Sequence, residues 1–175
     1  MSSLTYHPAL SQHSLLAPPV SKALESLPGA DEVQVAEIDP QLSDTAAFCA
    51  EYGVTLEESA NCVVIAGKRG GEVSYAACVI LATTRADVNG AVRKRLGVRK
   101  ASFGSVDTVT SLTSMEYGGI TPIGLPESWP VLIDDRVAQA SRVVIGSGIR
   151  GSKLWLPGRL LAGLPGAEVL PGLAS

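Results

Sequence analysis

The run Gly118-Gly119-Ile120-Thr121-Pro122-Ile123-Gly124-Leu125-Pro126 joins a pair of adjacent glycines to two prolines, and the chemistry open to it is that of the backbone. Adjacent glycines take positive φ at little steric cost and leave their N–H groups unshielded by a Cβ, so a ligand oxygen can approach closely. Pro122 and Pro126 stiffen the second half of the loop. Donors fixed in advance suit a carbonyl oxygen or an oxyanion, because nothing need reorganise as charge develops. The same composition also describes a tight turn between two elements, and the spacing leaves both readings open.

A second glycine run, Gly146-Ser147-Gly148-Ile149-Arg150-Gly151, spells G-x-G-x-x-G after an apolar stretch, and Glu168 lies about where a dinucleotide fold keeps its ribose-binding acid. That fold needs a long helix opening at the second glycine, to bring its N-terminus to the pyrophosphate. Pro157 cuts the segment short, and Pro165 and Pro171 forbid an orderly strand afterwards. The run is expected instead to be a glycine turn in the wall of a site. Arg93, Lys94, Arg95, Arg99 and Lys100 put five of the 14 basic residues into eight positions. Such a cluster can hold phosphates; it is equally the solvated end of a helix, where the dipole favours cations.

Other chemistries lack their parts. His7 and His13 have no neighbouring carboxylates or cysteines to complete a metal site. Cys49, Cys62 and Cys78 are an odd number without a C-x-x-C pair, and read as small core residues. No metal and no cofactor is expected. With no nucleophile elbow, no Walker-type loop and no H-E-x-x-H, any chemistry falls to backbone donors, hydroxyls, amides or a water.

These residues need a scaffold, and 175 residues at 46% hydrophobic and 18% charged suffice for a single domain with its own core. A net charge of −3 argues against wholesale electrostatic binding of nucleic acid, though not against a local patch. The apolar run 75–82 is far short of the roughly 20 residues of a membrane span. The opening residues lack the basic-then-apolar pattern of a secretory signal, so a cytoplasmic protein without membrane contact is expected. Residues 1–19 read as a flexible tail, and 20–175 as the domain.

Within the domain, Val20, Ala23, Leu24 and Leu27 recur at helical spacing, and 32–38 alternates as a strand. Ser43 can cap a helix reaching Tyr52 with Gly53 beyond its end, and Thr55 with Glu58 fits a capping box. The nearly continuous apolar runs over 61–66 and 72–82, joined by a glycine-rich hairpin loop, should be central strands covered on both faces. A helix opening at Asp87 closes at Gly97, with the basic cluster on its outer face. A short strand over 98–103, a helix capped by Ser105, and strands at 131–133 and 142–145 complete the reading, with a turn at Asp134-Asp135 and one helical turn over 158–161.

This order of segments resembles the YbaK and prolyl-tRNA-synthetase-associated editing domains over about residues 20–164. The most specific element is a G-x-x-x-P loop, here Gly118 to Pro122, followed by a late Ile145-Gly146-Ser147-Gly148. The resemblance implies an α+β (mixed α/β) single domain with a mixed, barrel-like β-sheet surrounded by helices. It implies an enzyme that hydrolyses the ester of a mischarged aminoacyl-tRNA, often alanine or cysteine on a proline tRNA, with the acceptor end as partner and a synthetase as a second candidate partner. On this reading Asn61, Gly118 and Gly119 are catalytic. Thr45, Ile120, Thr121, Pro122, Gly146, Ser147 and Gly148 bind substrate, and the basic cluster meets the tRNA.

One departure stands out. The family begins its first central strand with a Lys-Thr-Leu-Val type run whose lysine serves activity, and this chain has Asn61-Cys62-Val63-Val64. An amide donates a hydrogen bond but brings no charge, and charge-assisted bonds are roughly twice as strong as neutral ones. Two readings are then open: a deacylase in which the glycine-loop amides polarise the ester and Asn61 orients the substrate, or a binding module that retains the fold without the hydrolysis.

Overall fold

The computed structural model describes residues 2–175. Among the described residues nine strands are present: β1 (Tyr6–Pro8), β2 (Gln34–Glu37), β3 (Ala60–Arg69), β4 (Glu72–Leu81), β5 (Lys100–Phe103), β6 (Val131–Ile133), β7 (Val143–Gly146), β8 (Ser152–Leu156) and β9 (Ala167–Val169). Five helices accompany them: α1 (Pro18–Ser26), α2 (Thr45–Tyr52), α3 (Arg93–Leu96), α4 (Val106–Thr113) and α5 (Asp135–Gln139). The strands form an antiparallel sheet in the order β1-β2-β8-β7 and a mixed sheet in the order β5-β3-β4-β6-β9. A parallel bridge between Ser59, just before β3, and Val144 of β7 links the two sheets, which gives the wall its barrel-like character.

The mixed sheet is organised by the hairpin of β3 and β4, registered from Ala60 opposite Leu81 to Arg69 opposite Glu72. Both strands lie inside the sheet, as their apolar runs require. Side chains alternate between faces along a strand, so Val79 and Ile133 enter the main core with Leu24, Val35, Val143 and Leu154. Cys78, Ile80 and Leu132 enter a second core with Val92 and Leu173 on the opposite face. The helix expected from Asp87 starts as a wide π turn over Val88–Val92 before α3, because both Asp87 carboxylate oxygens are engaged by the Gly90 and Ala91 amides.

Four expectations change. Residues 2–19 are not a loose tail: β1 pairs with β2, and Ala9, Leu16 and Ala17 are buried against α1 and the core. Their apolar residues are spaced by prolines and thus show no regular period, although tertiary packing buries them all the same. The α2 cap is Asp44, which accepts the Ala47 amide, rather than Ser43. Asp134-Asp135 begins α5 with Asp134 as its cap. Finally, β8 and β9 exist between the proline breaks. β8 forms a hairpin with β7 from Val143 opposite Leu156 to Gly146 opposite Lys153, so the glycine run 146–151 is its turn and no helix opens at Gly148.

Candidate active site

The N-terminus of α2, the start of β3, the glycine loop after α4 and the β7–β8 turn converge on one cleft of about 580 Å³. Thr45, Asn61, Gly118, Ile120 and Gly146 all line it, although they are spread over a hundred positions of sequence. Thr45 Oγ1 donates to Asn61 Oδ1 at 2.7 Å. That contact orients the amide, since the oxygen is taken and Nδ2 is left as the donor.

The two glycine runs pack backbone against backbone. Gly148 N–H donates to Gly119 O at 2.7 Å, and Glu116 N–H donates to Gly148 O at 2.9 Å. A Cβ on Gly146 would lie 2.6 Å from Gly119 O, and one on Gly119 would lie 2.6 Å from Ile149 O. Glycine is required at these positions by contact. Only Gly118 of the first pair takes positive φ, at +91°, and a Cβ there would press on Ser43 Oγ at 2.7 Å. Gly119 N–H is committed to Glu116 O at 2.9 Å. Among the described residues, the Gly118 and Ile120 amides donate to no protein acceptor.

Other sequence candidates lie away from the cleft wall. Ser147 is fully buried and bonded to Ile149 O, Ser152 O and the Ser152 hydroxyl, tying the turn to β8. Gly148 packs on Ala17 and Val20. Thr121 is buried with its hydroxyl unpaired, and Pro122 lines a separate groove of about 540 Å³ beside α1. Arg93, Lys94, Arg95, Arg99 and Lys100 are exposed at the other end of β3, where Lys100 pairs with Lys68. Seven residues at about 3.4 Å each separate that point from Asn61, roughly 24 Å along the strand. Arg95 also forms an ion pair with Glu168.

Lys153 was not legible as a site residue. It lies on β8 between Ala36 of β2 and Gly146 of β7, whose small side chains leave room for its stem. It is 8% exposed, and Nζ donates to Ser43 O at 2.9 Å with the Phe48 ring 5.3 Å away. Burial lowers its pKa from 10.5, and the potentials of Cys49 and Asp44 act against that shift. The available signal was a lone lysine among Leu154, Trp155 and Leu156, but the partners that give it meaning are over a hundred residues away. Arg150 and the 67%-exposed Tyr117 sit on the rim.

Cys62 and Cys78 offer no thiolate. Burial and then the neighbouring Cys78 push the Cys62 thiol far up, and burial raises Cys78 to about 12, so both stay protonated near neutrality. Among the described residues no group of three or more His, Cys, Asp or Glu is placed to hold a metal, and no helix is long and apolar enough to cross a membrane. What the cleft does offer is a set of hydrogen-bond donors: two uncommitted amides, an oriented carboxamide and an ammonium.

The family model for the aminoacyl-tRNA editing domain matches residues 39–164, well over half of the chain. The chain belongs to the aminoacyl-tRNA editing domain family. The matched span contains every residue of the cleft named above. Among solved structures, the editing domain is similar to one described as a candidate trans-editing enzyme for prolyl tRNA synthetase, with 21% identity and a TM-score of 0.74 over 89% of this chain and 94% of that one. A hypothetical protein matches at 22% identity and a TM-score of 0.71, over 82% and 91% of the two chains. These likenesses establish the mixed α/β single-domain fold. Among curated protein sequences none matches the editing domain significantly.

Proposed function

We propose that this editing domain is a trans-acting deacylase that hydrolyses the ester of a mischarged tRNA carrying a small amino acid such as alanine or cysteine, with a proline tRNA as the first candidate. The observation that carries the reading is the cleft in which the uncommitted Gly118 and Ile120 amides stand with the Thr45-oriented Asn61 carboxamide. Family membership supports aminoacyl-tRNA as the substrate class. The description of a structural neighbour as serving prolyl tRNA synthetase supports proline tRNA, with that synthetase as a partner.

The reaction needs little beyond these donors. A water attacks the ester carbonyl carbon, its proton passing on to the ribose oxygen that will leave, and the carbonyl oxygen takes on negative charge in the tetrahedral intermediate. Preorganised donors stabilise that charge without reorganisation. Collapse breaks the acyl–oxygen bond, and the ribose oxygen leaves with a proton. Thr45 keeps Asn61 Nδ2 aimed as a donor, while Gly146 allows the close backbone approach that shapes the loop. Thr121, Pro122, Ser147 and Gly148 then serve substrate binding indirectly, by holding the glycine runs. The cluster at 93–100 receives tRNA phosphates distant from the ester. Separate synthetase and editing sites make physical sense, because a binding pocket discriminates one methylene by only about 10 to 200-fold.

A second reading, a binding module without hydrolysis, is favoured by one observation: the cleft end of β3 carries the neutral Asn61. A panel of mischarged tRNAs incubated with the purified protein separates the two. Release of the amino acid from at least one member supports the deacylase; binding without release supports the module.

A further inference from the structure

We propose that Lys153 is a catalytic residue of this cleft, its ammonium donating to the ester carbonyl oxygen as that oxygen becomes negative. The inference rests on the deacylase reading above and names a residue that reading does not need.

Lys153 is the one buried cationic side chain among the described residues. An ammonium has three donors and no acceptor. One donor is satisfied by Ser43 O, and no carboxylate lies within ion-pair distance among the described residues. A buried charge without a counter-ion is costly, and an apolar residue of similar volume commonly serves a core better. The position could take such a residue, since Phe48 and Trp155 already form an apolar cluster beside it. Lys153 lines the cleft, which is where the compensating partner of this charge can enter.

The chemistry of that partner is set by the groups sharing the wall. Ser43 holds the ammonium through its carbonyl and supports Gly118 through its hydroxyl, which lies 2.7 Å from the position of a Gly118 Cβ. Lys153 also pairs in the sheet with Gly146, whose Cβ position is 2.6 and 2.7 Å from the carbonyls of Gly119 and Ile120. The ammonium and the uncommitted Gly118 and Ile120 amides are therefore set on adjoining parts of one wall. A cation together with backbone donors fits a single oxygen that gains charge during reaction. A phosphate of the terminal nucleotide offers similar oxygens, and kinetics distinguishes the two.

The test measures kcat and KM for wild type, Lys153→Met and Lys153→Gln on whichever aminoacyl-tRNA the wild type cleaves, with thermal melting of each. We expect kcat to fall by about 10² to 10³ in both variants, the range for removing one such donor, with KM within a few-fold. The Met variant should melt at or above the wild-type temperature, because it removes an uncompensated charge. A rise in KM at unchanged kcat would assign Lys153 to ground-state phosphate binding and overturn the proposal, as would unchanged kinetics in a folded Gln variant. A wild type that cleaves nothing would remove the deacylase reading, and this proposal with it.

Discussion

Asp134 and Lys153 are both buried charges, and the fold treats them in opposite ways. Asp134 caps α5 and receives Arg136 Nε and Nη2 at 3.1 Å each, together with the amides of Arg136 and Ala174. Burial by itself would raise its pKa, but the Arg136 contacts outweigh it and hold the carboxyl below the usual 3.8. Arg136 also donates to Ala174 O, so this corner staples the C-terminal segment to the end of β6. Lys153 has one carbonyl and an aromatic face. A charge kept for structure is surrounded by its partners within the chain, whereas a charge kept for a ligand is left partly unmet. Stability and activity should therefore respond oppositely at the two sites.

The sharpest way to break that contrast is a pair of variants. Asp134→Ala should lower unfolding free energy by about 2 kcal/mol, since it leaves the Arg136 and Ala174 amides without their acceptor, and leave deacylation per folded molecule unchanged; urea unfolding and the deacylation assay report the two. The lysine variants should do the reverse. Asn61→Ala comes next. Its Oδ1 is already occupied by Thr45, so only one neutral donor is lost, and a fall in kcat of about 10² is expected with little change in stability. A loss larger than that of Lys153→Met would make Asn61 the principal donor.

The pH dependence is a smaller effect. Because the folded-state pKa of Asp134 lies below its unfolded value, its contribution is fully present above about pH 4 and is lost as pH falls through the folded value. Wild type should therefore lose more stability between pH 5 and pH 3 than Asp134→Asn does, measured by thermal melting. Equal losses would remove the carboxylate from the account. Smallest is the effect of the distal basic cluster. Replacing Arg95 and Arg99 by Ala should shallow the salt dependence of tRNA affinity by about 0.7 per lost phosphate contact on single-stranded regions, or 0.9 on duplex. An unchanged slope would return the cluster to being a solvated helix end, held in part by Glu168.

How far the sequence could be read depended on whether the signal was local. β3 and β4 were legible because a strand covered on both faces must be apolar on both, and the Asp87, Gly53 and Thr55 signals describe contacts a few residues apart. β8 was hidden because five residues between Gly151 and Pro157, with a lysine among them, carry no period of their own. The three residues of β9 become a strand only through parallel pairing with β6. At the site, the Gly118 loop and Asn61 stand out by composition and family pattern. Lys153 acquires its meaning from Ser43, 110 positions away, and from two small sheet neighbours that no single-sequence pattern announces. The glycines of the second run were visible, but their purpose, the contact between two loops, belongs to the tertiary structure.

The most direct measurement of the central claim is the rate of amino acid release from a mischarged proline tRNA, such as the alanyl or cysteinyl species, by wild type and by Lys153→Met at equal folded concentration. The account predicts turnover well above spontaneous hydrolysis for wild type and a loss of about 10² to 10³ in the variant. Equal rates in the two proteins would contradict the role given to the buried ammonium, and background rates in wild type across the whole panel would contradict the deacylase itself.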